Sequence, residues 1–170
     1  MHRFIKMTKI LVVYYSLTGN TKFIAEIITE ILDADILSLK PIKELNPDSS
    51  FKYFWGGFQT LMKRKPTLEE YDINPENYEL IVLGTPVWAW RYSPPLRTFL
   101  EKHNLSEKKV AFWMCHAGQG EKAMKRFKKA LNESEVISEN SFQDPLEKDT
   151  EKAKEKAIQW ANEILRSLEG

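Results

Sequence analysis

The run Ile10-Leu11-Val12-Val13-Tyr14 is followed almost at once by Ser16-Leu17-Thr18-Gly19-Asn20-Thr21-Lys22, and then by Phe23, Ile24, Ile27, Ile28 and Ile31. The first segment has the continuous apolar character of a buried strand, and the last puts one apolar stripe on a helix. Between them lies a short loop of hydroxyls with a single glycine. The first N–H groups of a helix have no partner inside it, and the macrodipole adds positive potential at that end. Ser16, Thr18 and Thr21 bring hydroxyl donors, and Gly19 lets the backbone approach a ligand closely. The loop has the makings of a phosphate site in which amides and hydroxyls, rather than cations, hold the anion. Lys22 reads as a solvated first-turn side chain. The plainer alternative is a strand-to-helix turn whose Ser and Thr only cap the helix.

Neighbouring motifs do not fit. A P-loop ends in Gly-Lys-Ser/Thr, whereas Gly19 is followed by Asn20 and Thr21, and the turn lacks the Gly-x-Gly-x-x-Gly of dinucleotide binders. Further strand-like runs occur at 34–39, 80–85, 109–114 and, more weakly, 135–142, with helical patterns between them. Ser93 and Pro94 open one helix carrying Leu96, Phe99 and Leu100, with Ser93 expected as its cap and Pro94 in the first turn. Ala123, Met124, Phe127, Ala130 and Leu131 mark another, and Ala153, Ala157, Ala161, Ile164, Leu165 and Leu168 the closing one. Alternating strands and helices imply a parallel sheet covered on both faces. Five strands suit the order 2-1-3-4-5, whose ligand crevice lies at the carboxyl ends beside strands 1 and 3.

A chain of 170 residues suits one domain, here 1–170 with a core over about 8–168. The segment from about 41 to 78 is too long for a plain crossover. Within it Phe51, Phe54, Trp55, Phe58, Leu61 and Met62 share one helical face, ended by Lys63-Arg64-Lys65-Pro66. It reads as a crossover helix with a rich apolar face, or as a flap beside the ligand. A formal net charge of +1 gives no sign of a nucleic-acid or lipid partner. The single cysteine excludes an internal disulfide, so a cytoplasmic setting is expected. No apolar stretch approaches the roughly 20 residues that span a bilayer.

Ser16-x-Thr18-Gly19-Asn20-Thr21 after a hydrophobic strand resembles the FMN-phosphate loop of flavodoxins. Gly84-Thr85-Pro86-Val87-Trp88-Ala89-Trp90 is similar to the aromatic loop bordering the flavin in that family, and Ser93 to Leu100 to the helix after it. Cys115-His116-Ala117-Gly118-Gln119-Gly120 falls where the family has its second flavin-flanking loop. The resemblance implies a three-layer flavodoxin-like α/β fold and noncovalent FMN. Its phosphate would meet Ser16, Leu17, Thr18, Gly19, Asn20 and Thr21. Its ring would lie between Pro86, Val87, Trp88, Ala89 and Trp90 on one side and His116, Ala117, Gly118 and Gly120 on the other. Trp88 is favoured for ring contact, with Trp90 a close second. In the family a backbone carbonyl of the first loop turns toward the ring's N5. No glycine lies between Pro86 and Arg91 to ease that turn, so this behaviour does not carry over by itself.

The near-neutral balance departs from the acidic flavodoxins and leads to an expectation of sparse negative charge at the site. Cys115 fails as a phosphatase nucleophile, because the arginine needed six positions on is Glu121, and it reads as a buried small hydrophobe. Gly118-Gln119-Gly120-Glu121-Lys122-Ala123 fits a dinucleotide fingerprint only formally. Arg91 and Tyr92 are further candidates for contact with a substrate. Lys122, Lys125, Arg126, Lys128 and Lys129 make a basic helix face, either simply solvated or facing an acidic redox partner or the phosphates of NADPH. The expected function is electron transfer between redox partner proteins. An NAD(P)H-dependent FMN or quinone reductase is the alternative, and a cofactor-free binding module the third.

Overall fold

The structure is a computed structural model, and it describes residues 7–43 and 65–170. Phe51 to Arg64, the aromatic part of the long segment, lies outside the described residues. The two flanks of that segment meet. Pro41 pairs with Leu68 in an isolated antiparallel bridge, Ile42 N–H donates to Thr67 O at 2.9 Å, and Glu69 N–H donates to Lys40 O at 2.7 Å. The described flanks of the segment are thus tied to each other by backbone hydrogen bonds.

The elements alternate as the sequence predicts: β1 (Ile10–Tyr14), α1 (Asn20–Leu32), β2 (Asp35–Ser38), β3 (Leu80–Trp88), β4 (Arg91–Tyr92), α2 (Pro94–Lys102), β5 (Lys109–His116), α3 (Glu121–Ala130), β6 (Glu135–Gln143) and α4 (Thr150–Glu169). Five strands run parallel in the order β2-β1-β3-β5-β6, and β4 pairs with β3 off that path. With the two-residue β4 set aside, this is the expected 2-1-3-4-5 arrangement. Central strands buried on both faces read as unbroken apolar runs, and side chains along them alternate between two cores. Ile10, Val12 and Tyr14 face a core closed by α1 and α4, with Ile24, Ile28, Trp113 and Trp160. Leu11, Val13 and Tyr15 face a second core closed by α2 and α3, with Leu96, Phe99, Phe112 and Phe127. Gly84 is a glycine because the buried Trp113 indole occupies the space a side chain would need. No helix among the described residues is long and apolar enough to cross a membrane.

Strand β3 does not end at Pro86. It runs to Trp88, turns through Ala89 and Trp90, and returns as β4, with Trp88 paired to Arg91 and Val87 to Tyr92. The two turn residues have φ of 47° and 57°. Paired positive φ values are those of a type I′ hairpin, whose twist matches the flanking strands but which normally takes Asn or Gly. Neither turn residue here is glycine, so the conformation needs external support. Arg126 Nη1 on α3 donates to Trp90 O at 3.0 Å, and the Tyr92 ring stacks on Phe127 with centroids 4.7 Å apart. At the base of the hairpin, Ser93 N–H and the Thr85 hydroxyl both lie 2.9 Å from their partners across the Thr85–Ser93 pair. Ser93 does sit at the cap position of α2, but its hydroxyl accepts from Thr85 instead of capping the helix.

Candidate functional site

The loop after β1 is shaped from within. Gly19 takes the N-cap position of α1 at φ 100° and ψ −16°, a conformation that L side chains rarely adopt. Its N–H donates to Ser16 Oγ at 3.2 Å, and its carbonyl accepts from Phe23 N–H at 2.9 Å. A glycine cap has no side chain to offer, so the amides of Asn20, Thr21 and Lys22 carry no protein partner among the described residues. Those uncapped donors open the helix beside a cleft.

That cleft, of about 180 Å³, gathers the loops at the carboxyl ends of the strands. Leu17, Thr18, Asn20 and Thr21 come from the first loop, Pro86, Val87 and Trp88 from the end of β3, and Cys115, His116 and Ala117 from the end of β5. Thr18 is exposed, with its hydroxyl available to a ligand, whereas Thr21 is only 1% exposed. Ser16 and Gly19 shape the loop without lining the cleft. The Asn20 side chain is already engaged: its Oδ1 accepts from Leu146 N–H at 3.0 Å.

The hairpin turn separates the two tryptophans. Trp88 lines the cleft and meets Tyr15 edge-on with ring centroids 5.6 Å apart. Trp90, 54% exposed, lines a second cavity of about 530 Å³ with Gly118, Gly120, Lys122 and Met124. Ala89 lines neither cavity. His116 is common to both. Its ring lies so close beneath Gly120 that an added Cβ there would come within 2.8 Å of its Cδ2. The second glycine is therefore needed for that close approach, while at Gly118 a Cβ would meet nothing within 4 Å.

His116 Nδ1 is buried with no hydrogen-bond partner among the described residues. Burial pushes the His116 pKa below its ordinary 6.5; the Asp144 charge opposes that shift, and Lys156 and Lys148 reinforce it. The imidazole is thus neutral at physiological pH. Cys115 is buried and its thiol is pushed up to about 12, chiefly by desolvation, so it packs rather than reacts.

Two cleft residues were not foreseen. Asp144 and Glu147, from the loop after β6, line the same 180 Å³ cleft, and Glu121 lines the larger cavity. Negative charge at the site is therefore not sparse, which corrects the expectation drawn from overall charge. The loop is brought in by Asn20 through Leu146, and by Asp144 N–H donating to His116 O at 3.0 Å. β6 has a polar, weakly patterned sequence (Glu135–Gln143), so its carboxyl-end loop was not singled out. The cue available was topological, since every carboxyl-end loop of such a sheet reaches the same rim.

A five-stranded parallel sheet of this order, with an uncapped first helix facing a carboxyl-end cleft, defines a flavodoxin-like α/β protein. The flavodoxin family profile matches residues 9–164, and the chain belongs to that family. Among solved structures it is similar to a flavoprotein from Lactobacillus acidophilus NCFM in complex with FMN, at 27% identity and a TM-score of 0.69. That match covers 84% of this chain and 97% of the other. A Bacteroides uniformis ATCC 8492 protein shares the fold at 19% identity and a TM-score of 0.76, over 92% of this chain and 99% of its own. A flavodoxin from Bacillus cereus shares it at 23% identity and a TM-score of 0.54, over 91% and 99%.

Proposed function

We propose that this chain is an FMN-binding electron carrier. FMN is the cofactor: the family is that of the flavodoxins, and the flavoprotein at 27% identity is in complex with it. The observation that carries the reading is the uncapped first turn of α1, opening beside the exposed Thr18 at the cleft. Its donors are neutral, and three free amides with a hydroxyl are a fitting set for a phosphate dianion. Asp144 and Glu147 are acceptors, suited to hydroxyls on the chain that links phosphate to ring and unsuited to the phosphate itself.

The residues present also fit a flat, largely apolar ring. Trp88 offers an aromatic face, and the His116 ring lines both the cleft and the neighbouring cavity. At about 180 Å³ the cleft alone is below the ~300–1,000 Å³ usual for ligand pockets. The neighbouring cavity beyond His116 supplies the remaining room. Bound FMN supplies the redox chemistry. The chain orients the ring between the Pro86–Trp90 and His116–Gly120 segments, shields it from water and sets how readily each redox state forms.

A reductase remains the second reading because the larger cavity, about 530 Å³, is big enough for a further substrate beside the ring. Anaerobic visible spectroscopy of the FMN-loaded protein separates the two. For a carrier, NADH and NADPH leave the flavin band intact while light-driven reduction bleaches it. Rapid bleaching by NADPH alone would replace the carrier by the reductase, and a protein that takes up no FMN would defeat both.

A further inference from the structure

Helix α3 carries Lys122, Lys125, Arg126 and Lys129, at spacings of three and four residues, all exposed. These positions fall on one face, opposite the buried Ala123 and Phe127. Glu121 stands at the edge of the face, one turn before Lys125, yet none of the four has an ion-pair partner among the described residues; on this helix Lys128, on the flank, pairs with Glu139 at 3.7 Å. Like charges so spaced disfavour a helix, so the arrangement works against local stability. Formal charge over the whole chain is nearly balanced, with 25 basic and 24 acidic side chains. The basic face is therefore a local asymmetry. Part of the counter-charge lies at the other end of the strands, where four glutamates, among them Glu76 and Glu135, outnumber Lys108 and Lys109 around a separate cavity.

The face is physically continuous with the candidate flavin site. Arg126 holds the Trp90 carbonyl at 3.0 Å, and Trp90 is the most exposed aromatic residue of the hairpin. Lys122 lines the cavity that Trp90 and His116 share. A basic stripe about 10 Å long, ending at an exposed indole beside a redox site, is a surface for electrostatic steering.

We infer that the α3 face and Trp90 form the docking surface for an acidic one-electron carrier protein. This rests on the FMN reading above. A protein fits better than a dinucleotide, because Lys125, Arg126 and Lys129 stand on the convex helix outside the cavity. In each productive encounter one electron leaves the partner's reduced centre and enters the oxidised flavin. The partner is oxidised by one electron, the flavin is reduced by one, and protons come from water.

The test uses the FMN-loaded full-length chain and a small acidic [2Fe–2S] ferredoxin as probe. Stopped-flow electron transfer is followed across an ionic-strength series for the wild type and for K125E/K129E, which leaves the cavity and the Arg126 contact intact. The wild-type second-order rate falls steeply with salt, the variant is at least tenfold slower at 10 mM salt, and the two converge near 0.5 M, where screening is complete within a few ångströms. A wild-type rate that is flat or rising with salt, or a variant equal to the wild type, overturns the proposal. So does a variant that loses bleaching by NADPH with its ferredoxin rate unchanged, which would assign the face to a nucleotide. Association of oxidised ferredoxin with the FMN-free chain at 10 mM salt is measured in parallel. Its loss in K125E/K129E supports the surface even if FMN uptake fails, and its absence in the wild type refutes the surface while leaving the FMN reading intact.

Discussion

Replacing Gly19 with alanine isolates what the first loop requires of its backbone. Gly19 sits at φ 100°, and a Cβ there would meet Leu146 Cδ1 at 3.4 Å, an ordinary contact. Sterics with neighbours are therefore minor, and the penalty is conformational. Holding an L residue in such a region costs about 1–3 kcal/mol. The usual gain of roughly 0.4–1 kcal/mol from a stiffer unfolded chain applies only where the native conformation suits alanine, which it does not here. A domain of this size loses about 2–4 °C of Tm per kcal/mol, so Gly19→Ala should lower Tm by roughly 2–12 °C. If the loop relaxes instead, the 3.2 Å Ser16–Gly19 bond and the free first-turn amides shift, and FMN binding should weaken by about tenfold or more. Gly118→Ala is the internal control for stability: its φ lies outside the left-handed region and a Cβ meets nothing within 4 Å. Its Tm should stay within about 2 °C of the wild type. Differential scanning fluorimetry and flavin-quenching titration read both effects. Gly19→Ala matching the wild type in Tm and FMN affinity, or Gly118→Ala falling as far, would refute the backbone argument.

Thr18→Val keeps the volume of an exposed cleft side chain and removes its hydroxyl, so FMN affinity should fall by about 1–3 kcal/mol in a fluorescence titration; no change would remove Thr18 from the phosphate contacts. Ala89→Gly should raise Tm by about 1–4 °C, because it relieves a residue at φ 47° in a type I′ turn, and a lower Tm would show that the turn is not held against its preference. His116 has a folded pKa below the ordinary 6.5, so both states are neutral above that value, and below it the unfolded state takes up the proton first. Stability should therefore drop as pH falls from 6.5 toward 5, and less steeply in His116→Gln. His103, whose pKa burial also lowers, keeps some slope in the variant, but equal slopes in the two proteins would contradict the assignment.

The sheet order was legible because its central strands are buried on both faces and their apolar runs are unbroken, as at Ile10–Tyr14 and Leu80–Leu83. The first loop's place at the cleft was legible because it leaves the carboxyl end of β1, at the rim where such a sheet gathers its loops. The hairpin was not. A type I′ turn is normally announced by Asn-Gly or a similar pair, and Ala89-Trp90 announces nothing, since its support comes from Arg126, 36 residues away. Asp144 and Glu147 were hidden for a related reason: their place in the cleft depends on Asn20 meeting Leu146, a contact across 126 residues of sequence. Trp88 could be favoured over Trp90 from its position in the chain, but their separation into two cavities is a product of the turn.

The proposed grip of neutral donors on a phosphate is tested most directly by comparing FMN with riboflavin on the same purified protein by fluorescence titration. The two ligands differ only in the phosphate group. Charge-assisted hydrogen bonds contribute about 1.5–3 kcal/mol each, so two or more should make FMN bind at least ~100-fold tighter than riboflavin. Equal affinity for the two would mean that the uncapped turn of α1 holds no phosphate.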